Sequence, residues 1–100
     1  MNAHAALSIE SITQDDARHV LFFRGGEHGY QPGSFTQKVL EAAFLADDPN
    51  LLRLSLGFKG LISAFYISKQ EIGMEILTGI AQGANDNVVA AAEAILRGDN

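Results

Sequence analysis

The sequence predicts an all-α fold, a compact single-domain bundle of five or six short helices over residues 1–100. Three observations carry this. Apolar residues recur at three- and four-residue spacing along most of the chain. Helix-starting residues (Thr13, Ser34, Asp48, Asn85) stand just ahead of those runs. The one stretch rich in β-branched and aromatic residues, 62–67, has no second strand to pair with.

Residues 1–12 show no clear period and are expected to be loosely ordered, with Leu7, Ile9 and Ile12 able to pin them to a core. Thr13 then suits an N-cap, and Asp15 and Asp16 fall in the first turn, where the helix dipole favours acids. Ala17, Val20, Leu21 and Arg24 follow at helical spacing, and Gly25 ends the helix as a C-cap glycine does. The connection 26–33, with Gly29, Tyr30 and Pro32, is too punctuated for regular structure. Ser34 with Gln37 three residues on reads as a capping box, and Phe35, Val39, Ala42, Ala43 and Ala46 trace one face through three turns. Asp48 before Pro49 repeats the start signal, since proline at the first helical position gives up an amide that has no helical partner anyway.

The helix that follows carries Leu51, Leu54 and Phe58 on one side and Leu52 and Leu56 on another, which predicts a central position. Gly57 and Gly60 mark its end, and Leu61, Ala64, Phe65, Ser68 and Ile72 continue in helical phase. Residues 71–81 form a further helix with Ile72, Ile76 and Ile80 stacked, weakened by Gly73 and Gly79 at up to about 1 kcal/mol each. Gly83 closes it. A last helix, capped by Asn85 or Asp86, carries Val88, Ala92 and Ile95 before Arg97 and Gly98 end it. The expected core includes Phe35, Leu40, Leu54, Phe58 and Phe65.

Composition narrows the function classes. Hydrophobic residues at 47% and charged residues at 19% are those of a globular domain rather than a disordered chain. The absence of cysteine excludes a disulfide scaffold, a zinc-cysteine site and a thiol nucleophile. No apolar stretch reaches the roughly 20 residues of a membrane helix, and no basic region precedes an apolar one at the start, so the cytoplasm is the expected location. Twelve acids against seven scattered bases, a net charge of −5, disfavour direct nucleic-acid binding and suit a basic partner surface. His4, His19 and His28 share no metal-binding spacing, so no metal or other cofactor is expected. The glycines near Gly25 lack the lysine of a phosphate-binding loop. The acids at helix starts are explained by capping before acid-base chemistry, which makes an enzyme the least expected class. A partner-binding site is expected on the polar connection and the adjacent helix starts: Asp15, Asp16, Glu27, His28, Tyr30, Asp47 and Asp48. There Tyr30 offers a rigid amphipathic anchor beside acids that can meet lysines.

The motifs Phe23-Arg-Gly-Gly, Pro32-Gly-Ser-Phe-Thr, Leu40-Glu-Ala-Ala and the run Ala46-Asp-Asp-Pro-Asn-Leu-Leu-Arg-Leu-Ser-Leu-Gly-Phe resemble a family of small proteins of phages and mobile elements. That family shares a Gly-Gly, Pro-Gly-Ser-Phe-Thr, Ala-Asp-x-x-Asn and Gly-Phe-Pro core. The resemblance spans residues 22–66, and this chain has Lys59 where the pattern has proline. With its size, acidity and added C-terminal helix, the chain is similar to phage-encoded anti-CRISPR proteins of type I-F systems. That likeness implies a non-enzymatic inhibitor that binds a multi-subunit RNA-guided surveillance complex and blocks target DNA. It implies no catalytic residues and leaves the oligomeric state open. A structural or housekeeping helical protein of a phage is the alternative.

Overall fold

The computed structural model describes residues 7–83 and 86–97, and shows how the glycine-rich connection is laid down. Helix α1, Gln14–Phe23, starts at Thr13. The Thr13 hydroxyl accepts the Asp16 amide at 2.9 Å, and the Asp16 carboxylate accepts the Thr13 amide at 3.0 Å. These two bonds satisfy two of the amides that a helix start leaves unpaired. At the other end Gly25 takes φ +78, which lets its amide reach the Phe22 carbonyl (3.0 Å) and the Gly26 amide reach the Leu21 carbonyl (2.8 Å). That left-handed turn reverses the chain, as glycine there allows at little cost.

The connection then retraces α1 toward its start. Gly29 lies against the main chain of Arg18 and Phe22, so close that a β-carbon would stand 2.6 Å from the Arg18 carbonyl oxygen. Tyr30 reaches His19 with its carbonyl and Asp15 with its hydroxyl. Buried Pro32 follows, and α2, Ser34–Leu45, begins beside the start of α1.

Helix α2 buries Val39, Leu40 and Ala43, and its start corrects the expected capping box. Gly33 is the N-cap and no side chain caps it; Ser34 is already the first helical residue. The Gln37 side-chain amide bonds Glu41 at 3.1 Å instead of turning back. In α3, Asp48–Gly57, the start is one residue earlier than the sequence implies: Asp47 is the cap, accepting the Asn50 amide at 3.0 Å, and Pro49 is the second helical residue. Phe58, at φ −135 and ψ 50, breaks the chain between α3 and α4, Lys59–Ser68. Helices α5, Gly73–Ala81, and α6, Asp86–Arg97, complete the bundle, and a 3-10 turn, Ile9–Ser11, precedes them all.

The central helix is α4, not α3. It buries Leu61, Ile62, Ser63, Ala64, Phe65, Ile67 and Ser68, and it packs against every other helix. Small residues make this possible. A β-carbon at Gly60 would overlap the Ser11 carbonyl oxygen, and the Ser63 hydroxyl accepts the Ser8 amide at 3.0 Å, which with buried Leu7 holds residues 7–12 against α4 where loose order was expected. Helix α3 buries only Leu51 and Ser55, and its Leu56 is 83% exposed. Of the expected core, Leu40 and Phe65 are buried, Leu54 and Phe58 are half-buried, and Phe35 is 66% exposed. Phe35 falls outside because the face of α2 that meets the core is centred on Ala43, and Phe35 lies to one side of it, leaning on Phe58 at a ring separation of 5.7 Å.

Gly73 and Gly79 are places of close packing rather than weak points. A β-carbon at Gly73 would overlap the Ile67 carbonyl oxygen, and one at Gly79 would meet Val88 of α6 at 2.7 Å. Helix α5 starts after Ile72, which is 49% exposed and does not join the stacked Ile76 and Ile80. The Asn85 cap and the end signal at Gly98 lie outside the described residues.

Contacts fix the directions of the helices. Asp16 (α1), Phe35 (α2) and Gly60 (α4) cluster at one end through Phe58 and the capping box. Phe23, Phe44 and Phe65, in the last turns of those three helices, cluster at the other, with ring separations of 6.3 Å from Phe23 to each of its two neighbours. Helix α5 runs the opposite way along α1, since Met74 meets Gly26 while Ala81 meets Arg18.

Candidate protein-binding site

The outer side of α1 and the returning connection build a small polar and aromatic group around Tyr30. Asp15, Arg18 and His19 are spaced three and four residues apart, which aligns them on one face of α1. The connection lays Tyr30 across that face because Gly29 has no side chain to hold it off. The Tyr30 hydroxyl donates to Asp15, and the Arg18 guanidinium lies 5.7 Å from the Tyr30 ring centre. The His19 ring meets the Tyr30 ring edge-on at 5.1 Å, and its Nδ1 lies 3.2 Å from the Tyr30 carbonyl oxygen. Arg18 is itself anchored: one amino group donates to the Ala81 carbonyl at 3.1 Å, and the other stands 3.7 Å from Asp15.

The result is an aromatic side chain 44% exposed yet held from several directions, beside a carboxylate 67% exposed. Such a group presents a fixed shape and an exposed carboxylate to a partner at little further cost in side-chain ordering.

The seven residues expected to bind a partner do not all converge. Asp15 and Tyr30 are in direct contact. Asp16 is next to them in sequence but is committed to the capping box and to the contact with Gly60. Glu27 and His28 lie at the far end of α1 on the tip of the reversal, where His28 takes φ 68. They border a shallow depression of about 390 Å³ with Leu21, Gly26, Met74, Glu75 and Thr78. Asp47 caps α3, and Asp48 stands near Tyr66, whose phenol is pushed up from its ordinary pKa by burial and then by the Asp48 charge. Tyr66 lies in the last turn of α4, so Asp47 and Asp48 occupy the end of the bundle opposite Asp15 and Asp16. Arg18 and His19 are additions that the sequence alone does not single out. Their spacing from Asp15 is the available signal, but the connection that completes the group touches them only in three dimensions.

Among the described residues, no three or more His, Asp or Glu side chains stand together as a metal site, and no helix is long and apolar enough to cross a membrane. No protein-family model, curated protein or solved structure matches this chain.

Proposed function

We propose that this protein acts by binding rather than by catalysis, docking on the basic, nucleic-acid-binding surface of a protein complex and keeping nucleic acid off it. The observation that carries this reading is the Tyr30 group. An exposed tyrosine, fixed by Asp15, Arg18 and His19, is the kind of rigid amphipathic anchor that dominates protein interfaces. The net charge of −5 adds long-range attraction to a surface built to hold phosphate. The resemblance over residues 22–66 to small phage and mobile-element proteins, together with the size, acidity and added C-terminal helix, supports a specific partner, the type I-F RNA-guided surveillance complex, with the chain as its anti-CRISPR inhibitor.

The test is target-DNA binding by the purified surveillance complex with increasing amounts of this protein. The unmutated chain is expected to abolish DNA binding. Tyr30→Ala, which removes the anchor, should weaken inhibition by roughly ten-fold or more, as truncation of an interface anchor does. Tyr30→Phe, which keeps the ring and loses only the bond to Asp15, should weaken it less. Glu27→Lys reverses an exposed charge with no capping duty and should slow association in a salt-dependent way. Undisturbed DNA binding in the presence of the unmutated protein overturns the surveillance-complex reading. Inhibition that Tyr30→Ala leaves unchanged moves the interface off this face.

A further inference from the structure

Helix α2 is apolar on two sides, and the fold covers only one of them. Val39, Leu40 and Ala43 turn to the core. Phe35, Lys38, Ala42 and Leu45 form a second, outward stripe at spacings of three, four and three residues, which is the seam pattern of two helices packed along each other. Phe35 is 66% and Leu45 84% exposed. Beside the stripe, α3 contributes Asn50, Arg53 and Leu54 to a groove of about 420 Å³ shared with Ala42, Leu45 and Ala46.

We infer that this stripe is covered by the same stripe of a second copy of the chain, the two α2 helices running antiparallel across a two-fold axis. The charges on the helix select that occupant. With Phe35 of one copy against Leu45 of the other, the axis passes at the level of Leu40, and the bulky ends pack on each other while the Lys38 stem crosses the small Ala42. Glu41 flanks the stripe on the side of Lys38, and the two are bonded at 3.3 Å along one exposed turn. In the antiparallel pair each Lys38 comes within one residue's rise of the partner copy's Glu41, so both pairs are satisfied across the seam. The flank then reads positive, negative, negative, positive, which is self-complementary.

A parallel pair would instead set Lys38 against Lys38, with neither lysine facing a carboxylate of the other copy. The Tyr30 group lies on α1 and the connection, outside the stripe, so the pair would carry two such faces.

Sedimentation equilibrium on the full chain tests this, at concentrations from about 10 μM to about 1 mM because the seam is narrow for a protein interface. The expected mass rises from 10.7 kDa toward twice that value. Leu45→Glu, at a site too exposed to disturb the fold, should hold the chain at the monomer mass with an unchanged circular dichroism spectrum. Lys38→Glu and Glu41→Lys should each weaken association by roughly five-fold or more, since each leaves like charges facing across the axis. An equimolar mixture of those two variants should recover association. In the mixed pair one chain carries acids at both positions and the other carries bases at both, so opposite charges meet at each contact. A mass of 10.7 kDa at every concentration overturns the inference. Association that survives Leu45→Glu, or that the mixture does not restore, overturns it as well.

Discussion

Replacing Gly73 by alanine should destabilise the protein, against the direction that helix propensity gives. Gly73 is the first residue of α5 and does not lie in the left-handed region, so alanine can adopt its backbone without strain. Propensity and the reduced entropy of the unfolded chain together favour the substitution by up to about 1 kcal/mol. Space opposes it. The added β-carbon would overlap the Ile67 carbonyl oxygen and stand 2.8 Å from the Ile67 carbonyl carbon and 3.1 Å from the Ser68 Cα. All three are main-chain atoms of the buried end of α4, so none can swing aside as a side chain does, and α5 must shift as a unit. Overpacking of this kind costs about 1–3 kcal/mol, which leaves a net loss of about 1–2 kcal/mol. Gly57 is the control, because it ends α3 with nothing within 4 Å of its β-carbon position and no positive φ. The same substitution there should stabilise by about 0.4–1 kcal/mol. Urea titration followed by circular dichroism reads both. With a slope of roughly 1–1.5 kcal/mol per molar, the two midpoints should lie about 1 M or more apart on opposite sides of the parent. A Gly73→Ala midpoint at or above the parent would refute the close approach of α5 to α4.

Thr13→Ala removes the hydroxyl that accepts the Asp16 amide and should cost about 0.5–2 kcal/mol in the same titration. Gly33→Asp should stabilise by a few tenths of a kcal/mol, roughly, because it supplies the side-chain cap α2 lacks at a position with open space around it. Tyr66 ionises in the folded protein above its ordinary value of 10.0, so its contribution is fully present below that pH and is lost as the pH rises through the higher folded value. Tyr66→Phe should therefore lose less stability than the parent as the pH is raised above about 10, as measured by urea midpoints; equal losses would show that Asp48 and burial do not act on this phenol.

Helix number and class were legible because caps and period act locally: Thr13 and Gly25 each set a terminus through bonds reaching no more than five residues. What was not legible is which apolar face meets which neighbour. The leucines of α3 read as a central helix, yet the centre belongs to α4, where Gly60, Ser63, Ala64 and Ser68 let other backbones come close. Hydrophobic pattern measures how much surface a helix could bury, whereas small residues measure how closely it can be approached, and centrality depends on the second. The Tyr30 group was half legible for the same reason. Asp15 and Tyr30 were visible as residue types, but their meeting depends on Gly29 lying against Arg18 and Phe22, a contact between main chains that no side-chain pattern records.

The most exposed large apolar residues gather on two helices: Phe35, Phe44 and Leu45 on α2, and Leu56 on α3. Since a chain gains nothing in its own stability from a stripe left in water, the seam spacing of Phe35, Lys38, Ala42 and Leu45 is better explained by association than by folding.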